Sequence, residues 1–386
     1  MQLLKTAEIY LDNNATTKAL PEVALAVVSA ISDNFGNPSS VHTAGDRSRE
    51  VIRTARENIG NLLSCDPTKV LFTGSGTESN NIVLSSAASW SKRKPRILTT
   101  TVEHSSILAM CDHLKTKDVD IVLLSVDENG SLDLRMVESA LEDEISLVSI
   151  QWVNNETGVI QPIEEIGSLC RKAGVPFHTD AAQAVGKLEI NLSAAPIDYL
   201  SFTGHKLHAP QGIGVLYARD IQKLHPLMFG GSQENGLRPG TENLAGIAGI
   251  GCAAAIRKKQ FSRSVIQLEA MRETFEKCLI ASIPDIRING GGVPRACNTT
   301  NVLFDGLNGQ ALTIRLDQAG IRCSQSSACT NQRPEPSYVL RSMGLSEDQA
   351  YGSIRFSFSV LNTADEVESS VGIIAELCKK LRAFGV

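Results

Sequence analysis

The first two thirds of the chain alternate short apolar runs with amphipathic stretches of helical length, and this pattern constrains the fold more than any other feature. Apolar runs separated by helices are typical of a parallel sheet. Seven runs are candidate strands: Lys69–Phe72, Arg96–Thr100, Ile121–Ser125, Leu147–Gln151, Pro176–His178, Tyr199–Phe202 and Gly214–Tyr217. Helical patterns cover Pro21–Ser32, Ser48–Leu63, Leu132–Glu142 and Ile163–Ala173. The sequence therefore predicts an α/β fold with a mainly parallel seven-stranded sheet.

The pattern changes toward the C-terminus. A helical stretch from about Asn243 to Leu279, rich in alanine and then in charged residues, predicts a helix that joins two domains. Beyond Pro284 the chain predicts two strands and two helices, at Asn301–Phe304, Ile354–Ser359, Gly309–Gln318 and Ala364–Phe384. We predict a large domain of residues 15–255 and a smaller α+β domain formed by residues 1–14 and 256–386.

Charge, hydropathy and cysteine usage exclude several classes of protein. The net charge of −5 argues against a nucleic-acid binder, which would carry a basic stripe. No run reaches the roughly 18 apolar residues of a membrane helix, and residues 1–10 lack the apolar centre of a secretory signal. Nine widely spaced cysteines, an odd number, indicate a reducing, cytoplasmic compartment. His104, Cys111 and His113 match no zinc-binding spacing, so no metal site is predicted.

A glycine-rich segment, Thr73-Gly-Ser-Gly-Thr-Glu-Ser79, directly follows a candidate strand and opens a helix. Backbone N–H groups at such a helix start bind anions, because glycines allow close approach and the helix dipole is positive there. The segment has neither the lysine of a P-loop nor the third glycine of a dinucleotide fingerprint. It predicts a small phosphate cradle that includes Gly76 and Thr77, with an ordinary capped helix start as the alternative.

Two further candidate groups follow neighbouring strands of the predicted sheet. Asp180 stands in His178-Thr-Asp-Ala-Ala-Gln183, and Lys206 ends Ser201-Phe-Thr-Gly-His-Lys206. Side chains at the carboxyl ends of neighbouring parallel strands share one crevice. A lysine there can form a Schiff base, and a carboxylate can hold a pyridinium nitrogen protonated. Taken singly, Asp180 would be a helix cap and Lys206 a solvated amine; together with the cradle they predict a cofactor site.

Six separated motifs resemble those of the cysteine desulfurases, which are pyridoxal-phosphate-dependent enzymes of fold type I. They are Tyr10-Leu-Asp-Asn-Asn-Ala-Thr-Thr17, Phe35-Gly-Asn-Pro-Ser-Ser-Val-His42, Val153-Asn-Asn-Glu-Thr-Gly158, Ser201-Phe-Thr-Gly-His-Lys206, Gly236-Leu-Arg-Pro-Gly-Thr-Glu-Asn243 and Ser327-Ala-Cys-Thr330. The resemblance spans nearly the whole chain, in order and with similar spacing. It implies the PLP-dependent transferase fold type I, with a large cofactor-binding domain and a smaller C-terminal domain.

The resemblance also implies a role for each candidate residue. Lys206 would hold pyridoxal 5′-phosphate as a covalent aldimine and move protons, Asp180 would pair with the ring nitrogen, and Gln183 would bond the ring oxygen. His104 would stack on the ring and transfer protons. The phosphate would be bound by Gly76, Thr77, Thr203, His205 and, from a second subunit of a homodimer, Thr241. Asn155 would contact cofactor and substrate, and Arg355 would bind the substrate carboxylate.

The segment of residues 323–336 carries the predicted nucleophile. Its small and polar residues, followed by Pro334 and Pro336, predict a surface loop that ends just before a helix near Ser337. A thiol on such a loop can move between two sites, as sulfur transfer requires. Cys329 would attack the sulfur of cysteine, leaving alanine and a protein persulfide, and what activates its thiol stays open. Cys323, outside the family motif, is predicted to act as a small packing residue.

Two alternatives remain beside the desulfurase interpretation. Another lyase or aminotransferase of this fold would need Lys206 but not Cys329, and a non-catalytic cofactor-binding scaffold would need neither as a reacting group. For a desulfurase, the expected partners are L-cysteine and a sulfur-acceptor or scaffold protein, serving iron–sulfur cluster assembly or the thio-modification of tRNA or DNA. No membrane and no direct nucleic-acid contact are expected. The long form of the loop favours cysteine over selenocysteine as substrate.

Overall fold

The structure, a computed structural model, describes residues 8–91, 93–325 and 336–383. The strands of these ranges are β1 Ile9–Tyr10, β2 Val70–Thr73, β3 Arg96–Thr100, β4 Asp120–Leu124, β5 Leu147–Ser149, β6 Phe177–Asp180, β7 Tyr199–Thr203, β8 Gly214–Ala218, β9 Ile286–Ile288, β10 Thr299–Phe304, β11 Ile321–Arg322, β12 Ser324–Gln325 and β13 Ser353–Ser357. The helices are α1 Pro21–Ser32, α2 Thr43–Leu63, α3 Gly76–Ala87, α4 Ser105–Lys115, α5 Leu134–Ala140, α6 Ile163–Ala173, α7 Leu244–Ser282, α8 Gly309–Gln318, α9 Tyr338–Ser342, α10 Glu347–Tyr351 and α11 Ala364–Ala383.

A seven-stranded sheet with the order β2-β8-β7-β6-β5-β3-β4 forms the centre of the larger part. The pairs from β7 through to β4 are parallel, whereas β8 runs antiparallel to both β7 and β2. All seven predicted strands are present, with ends that differ by no more than two residues. The prediction of a mainly parallel seven-stranded α/β sheet is therefore confirmed.

A second, smaller sheet lies in the C-terminal part, with the antiparallel order β12-β13-β10-β9. Its apolar face packs against α8 and α11 around the buried rings of Phe304 and Phe356. The N-terminal residues join this part, because β1 pairs with β11 and Ile9 and Leu11 lie in the same apolar core. None of the described helices is long and apolar enough to cross a membrane.

Helix α7 connects the two apolar cores without a break. Ile247 and Ile250, near its start, are buried in the core beneath the large sheet, whereas Leu268 and Phe275 belong to the core of the small one. Helix α7 passes from one core to the other between Ile250 and Leu268, and the predicted domain boundary at 255/256 falls within this stretch. The division into domains at 14/15 and 255/256 stays a prediction.

Helices α7 and α2 approach each other closely at Gly251 of α7. A Cβ atom at Gly251 would lie 2.5 Å from both Cα and Cβ of Ala55 on α2. Gly251→Ala is therefore expected to lower the free energy of unfolding by about 1–3 kcal/mol, because the two helices must move apart. Gly372→Ala on α11 is the matched control: its Cβ would meet nothing within 4 Å, so it should stabilise by about 0.5–1 kcal/mol through helix propensity. Urea unfolding of both variants measures the difference, and equal effects would contradict the packing argument.

Candidate functional site

The carboxyl ends of β6 and β7 open into one crevice. Asp180 is the last residue of β6 and lies opposite Ser201 in the parallel pairing of the two strands. Strand β7 continues directly into the single helical turn Gly204–Lys206. The structure thus brings Asp180 and Lys206 to the same edge of the sheet, as the sequence predicted.

Asp180 and His104 are joined by a chain of hydrogen bonds. The buried Asp180 carboxylate accepts from Asn80 Nδ2 at 2.8 Å through one oxygen and from the Ala182 amide at 2.9 Å through the other. The same amide nitrogen of Asn80 donates to Ser106 Oγ at 2.9 Å, and Ser106 Oγ lies 2.8 Å from His104 Nδ1. The carboxylate and the imidazole are therefore held in a fixed mutual position.

His104 caps helix α4 and exposes the rest of its ring. Its Nδ1 accepts from the Ser106 backbone N–H at 3.2 Å as well as facing the Ser106 hydroxyl. A ring nitrogen that accepts carries no proton, so the neutral imidazole has its proton on Nε2. The exposed side of His104 consequently carries an N–H group, which can donate a hydrogen bond to a bound group.

Lys206 and Gln183 converge on one backbone carbonyl. Lys206 Nζ donates to the carbonyl oxygens of Asn14 and, at 2.6 Å, Ala15. Gln183 Nε2 donates to the same Asn14 oxygen at 3.1 Å. Because both donors share one acceptor, the amide of Gln183 lies beside the amine of Lys206.

The glycine-rich segment folds as the sequence indicated, with β2 ending at Thr73 and α3 beginning at Gly76. Ser75 caps the helix by accepting from the Glu78 amide at 3.1 Å, and the first N–H groups of α3 have no carbonyl of their own helix to bond. A Cβ at Gly76 would lie 3.6 Å from Cβ of Thr203, at the end of β7. The N-terminus of α3 and the end of β7 are therefore adjacent, and Thr77 is exposed in the first turn of α3; the place where they meet is called the recess below.

His205 is held as a neutral ring beside this recess. Its Nδ1 lies 3.3 Å from Thr16 Oγ1. Burial, reinforced by the nearby charge of Lys206, lowers the pKa of His205 to about 4. A neutral imidazole can donate one hydrogen bond to a phosphate. Thr203 at present donates its hydroxyl to the Ile213 carbonyl at 3.2 Å, and Thr241 is exposed on the loop before α7.

Arg355 is buried next to Asn155. Its Nη1 donates to the Asn155 carbonyl at 3.0 Å, and its Nη2 forms an ion pair with Asp12 at 2.7 Å. The remaining guanidinium nitrogen, Nε, is buried and has no hydrogen-bond partner among the described residues. A planar guanidinium held in place on two sides is suited to bind a carboxylate ligand.

Cys329 lies outside the described residues, but both segments that flank residues 326–335 end at this crevice. Ser324 of β12 pairs with Arg355 of β13. On the other side, the hydroxyl of Tyr338 donates to the carbonyl of Glu103, the neighbour of His104, at 2.5 Å. The described residues before this segment thus pair with the strand of Arg355, and those after it contact the residue that precedes His104.

The class-V aminotransferase family matches residues 9–369. A cysteine desulfurase of Trichormus azollae is 43% identical over 376 residues, covering 97% of this chain and 94% of the relative. The chain belongs to the cysteine desulfurase family. Among solved structures, a NifS-like protein has a TM-score of 0.89 at 32% identity, covering 97% of this chain and all of that one. SspA, solved in complex with cysteine, has a TM-score of 0.81 at 34% identity, covering 92% of this chain and 100% of its own.

Cysteine desulfurases depend on pyridoxal phosphate, and the residues present fit this group. The recess between α3 and β7 offers unsatisfied backbone donors for a phosphate. Asp180 keeps a buried carboxylate at the base of the crevice, and the amine of Lys206 stands beside the amide of Gln183. Each chemical requirement of the cofactor therefore has a matching side chain, although which residue performs which role stays a prediction.

Sequence reasoning missed the polar residues that hold these groups in place. Asn14 accepts from Lys206 and Gln183 through its backbone oxygen, and its Nδ2 donates to the carbonyl of Asn155 at 3.1 Å. Asp12 pairs with Arg355, and Asn80 supports Asp180. The available signal was the run Asp12-Asn-Asn14, three polar residues directly after an apolar strand.

Proposed function

We propose that this chain converts L-cysteine to L-alanine and transfers the sulfur to its own Cys329. The proposal rests on one observation above all: Lys206, Gln183, Asp180 and His104 converge in a crevice that also contains the half-satisfied guanidinium of Arg355. The thiolate of Cys329 attacks the sulfur of cysteine, so an S–S bond forms and the C–S bond breaks. The bonding pair remains on the β-carbon, which takes up a proton, and the product is alanine.

Pyridoxal phosphate, bound through Lys206, supplies an electron sink that weakens bonds at the α- and β-carbons of the substrate. Asp180 keeps the ring nitrogen protonated, and Gln183 donates to the ring oxygen. The phosphate is bound by the N-terminus of α3 at Gly76 and Thr77, together with Thr203 and His205. These residues hold and orient the group, and the neutral ring of His205 donates one hydrogen bond to it.

Substrate binding and proton transfer are assigned to the other side of the crevice. Arg355 binds the substrate carboxylate with Asn155 beside it, and Asp12 keeps the guanidinium in place through its ion pair. His104 keeps Nδ1 engaged with Ser106, so Nε2 is the atom at which it holds a proton toward the substrate and exchanges it. A substrate held between these two residues lies where the segment that carries Cys329 begins and ends.

The enzyme is proposed to act as a homodimer. Large apolar side chains are exposed on α1, at Leu25, Val28 and Ile31, and on two loops, where Phe35 is 72% and Phe229 91% exposed. The two loops meet, because Pro38–Ser39 and Ser232–Asn235 line one cavity. Apolar patches of this kind mark interfaces. The second loop leads to Thr241, which fits the expectation that Thr241 completes the phosphate site of the other subunit.

A mixed dimer tests this arrangement. Neither a Lys206→Ala homodimer nor a Thr241→Ala homodimer has a complete site. When the two variants are combined, the Thr241→Ala subunit keeps its own Lys206 and receives Thr241 from its partner, so one complete site forms per dimer. We expect sedimentation to show a dimer and the mixture to regain up to about half of the wild-type activity per heterodimer. No recovery in a verified heterodimer would contradict a contribution of Thr241 across the interface.

The sulfur acceptor is proposed to be a protein of the cytoplasm, either an iron–sulfur scaffold or a component of tRNA or DNA thio-modification. The overall negative charge makes direct nucleic-acid binding by this chain unfavourable. The transfer itself is tested by incubating the holoenzyme with L-cysteine and measuring alanine and protein-bound sulfane sulfur. Equal amounts in the first turnover support the proposal, whereas pyruvate with ammonia, or a keto acid, would indicate a lyase or an aminotransferase.

A further inference from the structure

We infer that Lys187 is a positioning residue: it fixes the amide of Gln183 so that the NH₂ group of Gln183, and not its oxygen, faces the reactive end of the cofactor. The inference rests on the proposed binding of pyridoxal phosphate to Lys206. Lys187 belongs to none of the six family motifs quoted above, and the sequence gives it no chemical role.

The hydrogen bonds of Gln183 establish its orientation. Lys187 Nζ donates to Gln183 Oε1 at 2.5 Å and lies 3.5 Å from Asn14 Oδ1. Because the Lys187 amine donates in this contact, the atom that it faces is the amide oxygen of Gln183. With the oxygen engaged, the nitrogen of Gln183 donates one hydrogen to the Asn14 carbonyl at 3.1 Å. The second N–H hydrogen is left for the group that Lys206 carries, since both residues meet at that carbonyl.

The enclosure of Lys187 argues against a merely structural role. Its side chain is buried, and no ion pair with a carboxylate joins it among the described residues. The charged and titratable groups that act on it are Lys206, Arg257, Arg355 and Cys297, and together with burial the three cations lower the pKa of Lys187 to about 7. A buried amine without a counter-ion is costly. The amide of Gln183 connects Lys187 to the ring oxygen of the proposed cofactor. A negative charge on that oxygen would stabilise the charged amine and so offset this cost.

The backbone is also built to direct Lys187 inward. Gly186 has φ +77°, a conformation that favours glycine, and a Cβ there would lie 2.5 Å from Leu207 Cδ1 and 2.9 Å from Arg257 Cγ. The turn before it is hydrogen-bonded, with the Ala184 and Val185 amides donating to the Ala181 carbonyl. This turn brings residues 183 and 187 close enough for their side chains to form the 2.5 Å hydrogen bond.

The test measures the pH at which the visible absorption band of the bound cofactor changes. In Lys187→Met the ring oxygen loses both an oriented donor and a nearby positive charge, so the Schiff-base nitrogen holds its proton more tightly and the midpoint should rise by roughly one pH unit. Lys187→Arg keeps a donor and a charge, so the midpoint of this variant should lie close to that of the wild type. Arg257→Met removes another buried cation of the same enclosure, one not hydrogen-bonded to Gln183, and should move the midpoint much less.

A double-mutant cycle shows whether Lys187 acts through Gln183. In the background of Gln183→Leu, the further change Lys187→Met should produce less than half of the shift that it produces alone. An equal shift in both backgrounds, or no shift in Lys187→Met, would overturn the inference. Lys187→Gln replaces Lys187→Met if the latter does not fold. A wild-type holoenzyme without any visible band would instead contradict the proposed cofactor site, so the two failures are distinguishable.

Discussion

Cys329→Ala is expected to reduce alanine formation from L-cysteine by at least roughly a hundredfold, while the cofactor stays bound. In the proposed reaction the thiol of Cys329 accepts the sulfur of the substrate, and alanine at this position has no atom that can form the S–S bond. The residues proposed to hold the cofactor lie on or directly after β6 and β7 and at the start of α3, and none of them is changed in this variant. Alanine is measured in the presence of a thiol reductant, with the visible band recorded on the same sample.

Cys323→Ala is the matched control for that experiment. Cys323 lies six residues upstream, packs against the apolar core of the small sheet, and has a thiol whose pKa is strongly raised by burial and by the charge of Asp12. Such a thiol is inert as a nucleophile. Cys323→Ala should therefore keep activity within about threefold of wild type. Loss of activity in Cys323→Ala with retention in Cys329→Ala would reverse the assignment.

The parts of this site that follow from local rules were predictable. Parallel strands place their carboxyl ends at one edge, so Asp180 and Lys206 could be brought together from sequence alone. The helix at Gly76 was predictable because its glycines and Ser75 are ordinary start signals. By contrast, the predicted start of α2 was wrong by five residues. The helix begins at Thr43 and not at Ser48, because His42 caps it by accepting from the Gly45 amide. Histidine is not among the usual capping residues.

The supporting network was not predictable, because its contacts join residues far apart in sequence. Asn14 contacts Asn155, Gln183 and Thr299, and Asp12 pairs with Arg355 across 343 positions. The run Asp12-Asn-Asn14 marks a polar segment after a strand, but asparagine has no reactive group of its own, so the run does not indicate which residues it contacts. Only the packing of the N-terminal segment between the two sheets places it there. The same holds for Lys187, whose partner becomes evident only when the direction of its side chain is known.

Lys206→Ala is expected to abolish covalent cofactor binding and to reduce alanine formation by at least roughly a thousandfold. The turn that follows β7 presents Lys206 at the mouth of the crevice, where its amine contacts the carbonyls of Asn14 and Ala15. The variant should release its cofactor on gel filtration and lose the visible band. Lys206→Arg is the control for charge, because it keeps the cation but cannot form a Schiff base, and it should be equally inactive.

The buried Lys187 makes this experiment decisive, because it is the rival amine. With a pKa lowered to about 7, it is unprotonated more often than an ordinary lysine and is in that respect the better nucleophile. Its Nζ, however, is enclosed and bonded to Gln183, on the far side of the amide from the crevice. Reduction of the holoenzyme with borohydride followed by peptide mapping should therefore label Lys206 and not Lys187. Label that is found at Lys187, and that is still found there in Lys206→Ala, would show that the carbonyl carbon of the cofactor reacts with the buried amine. This result would contradict the roles assigned to both lysines.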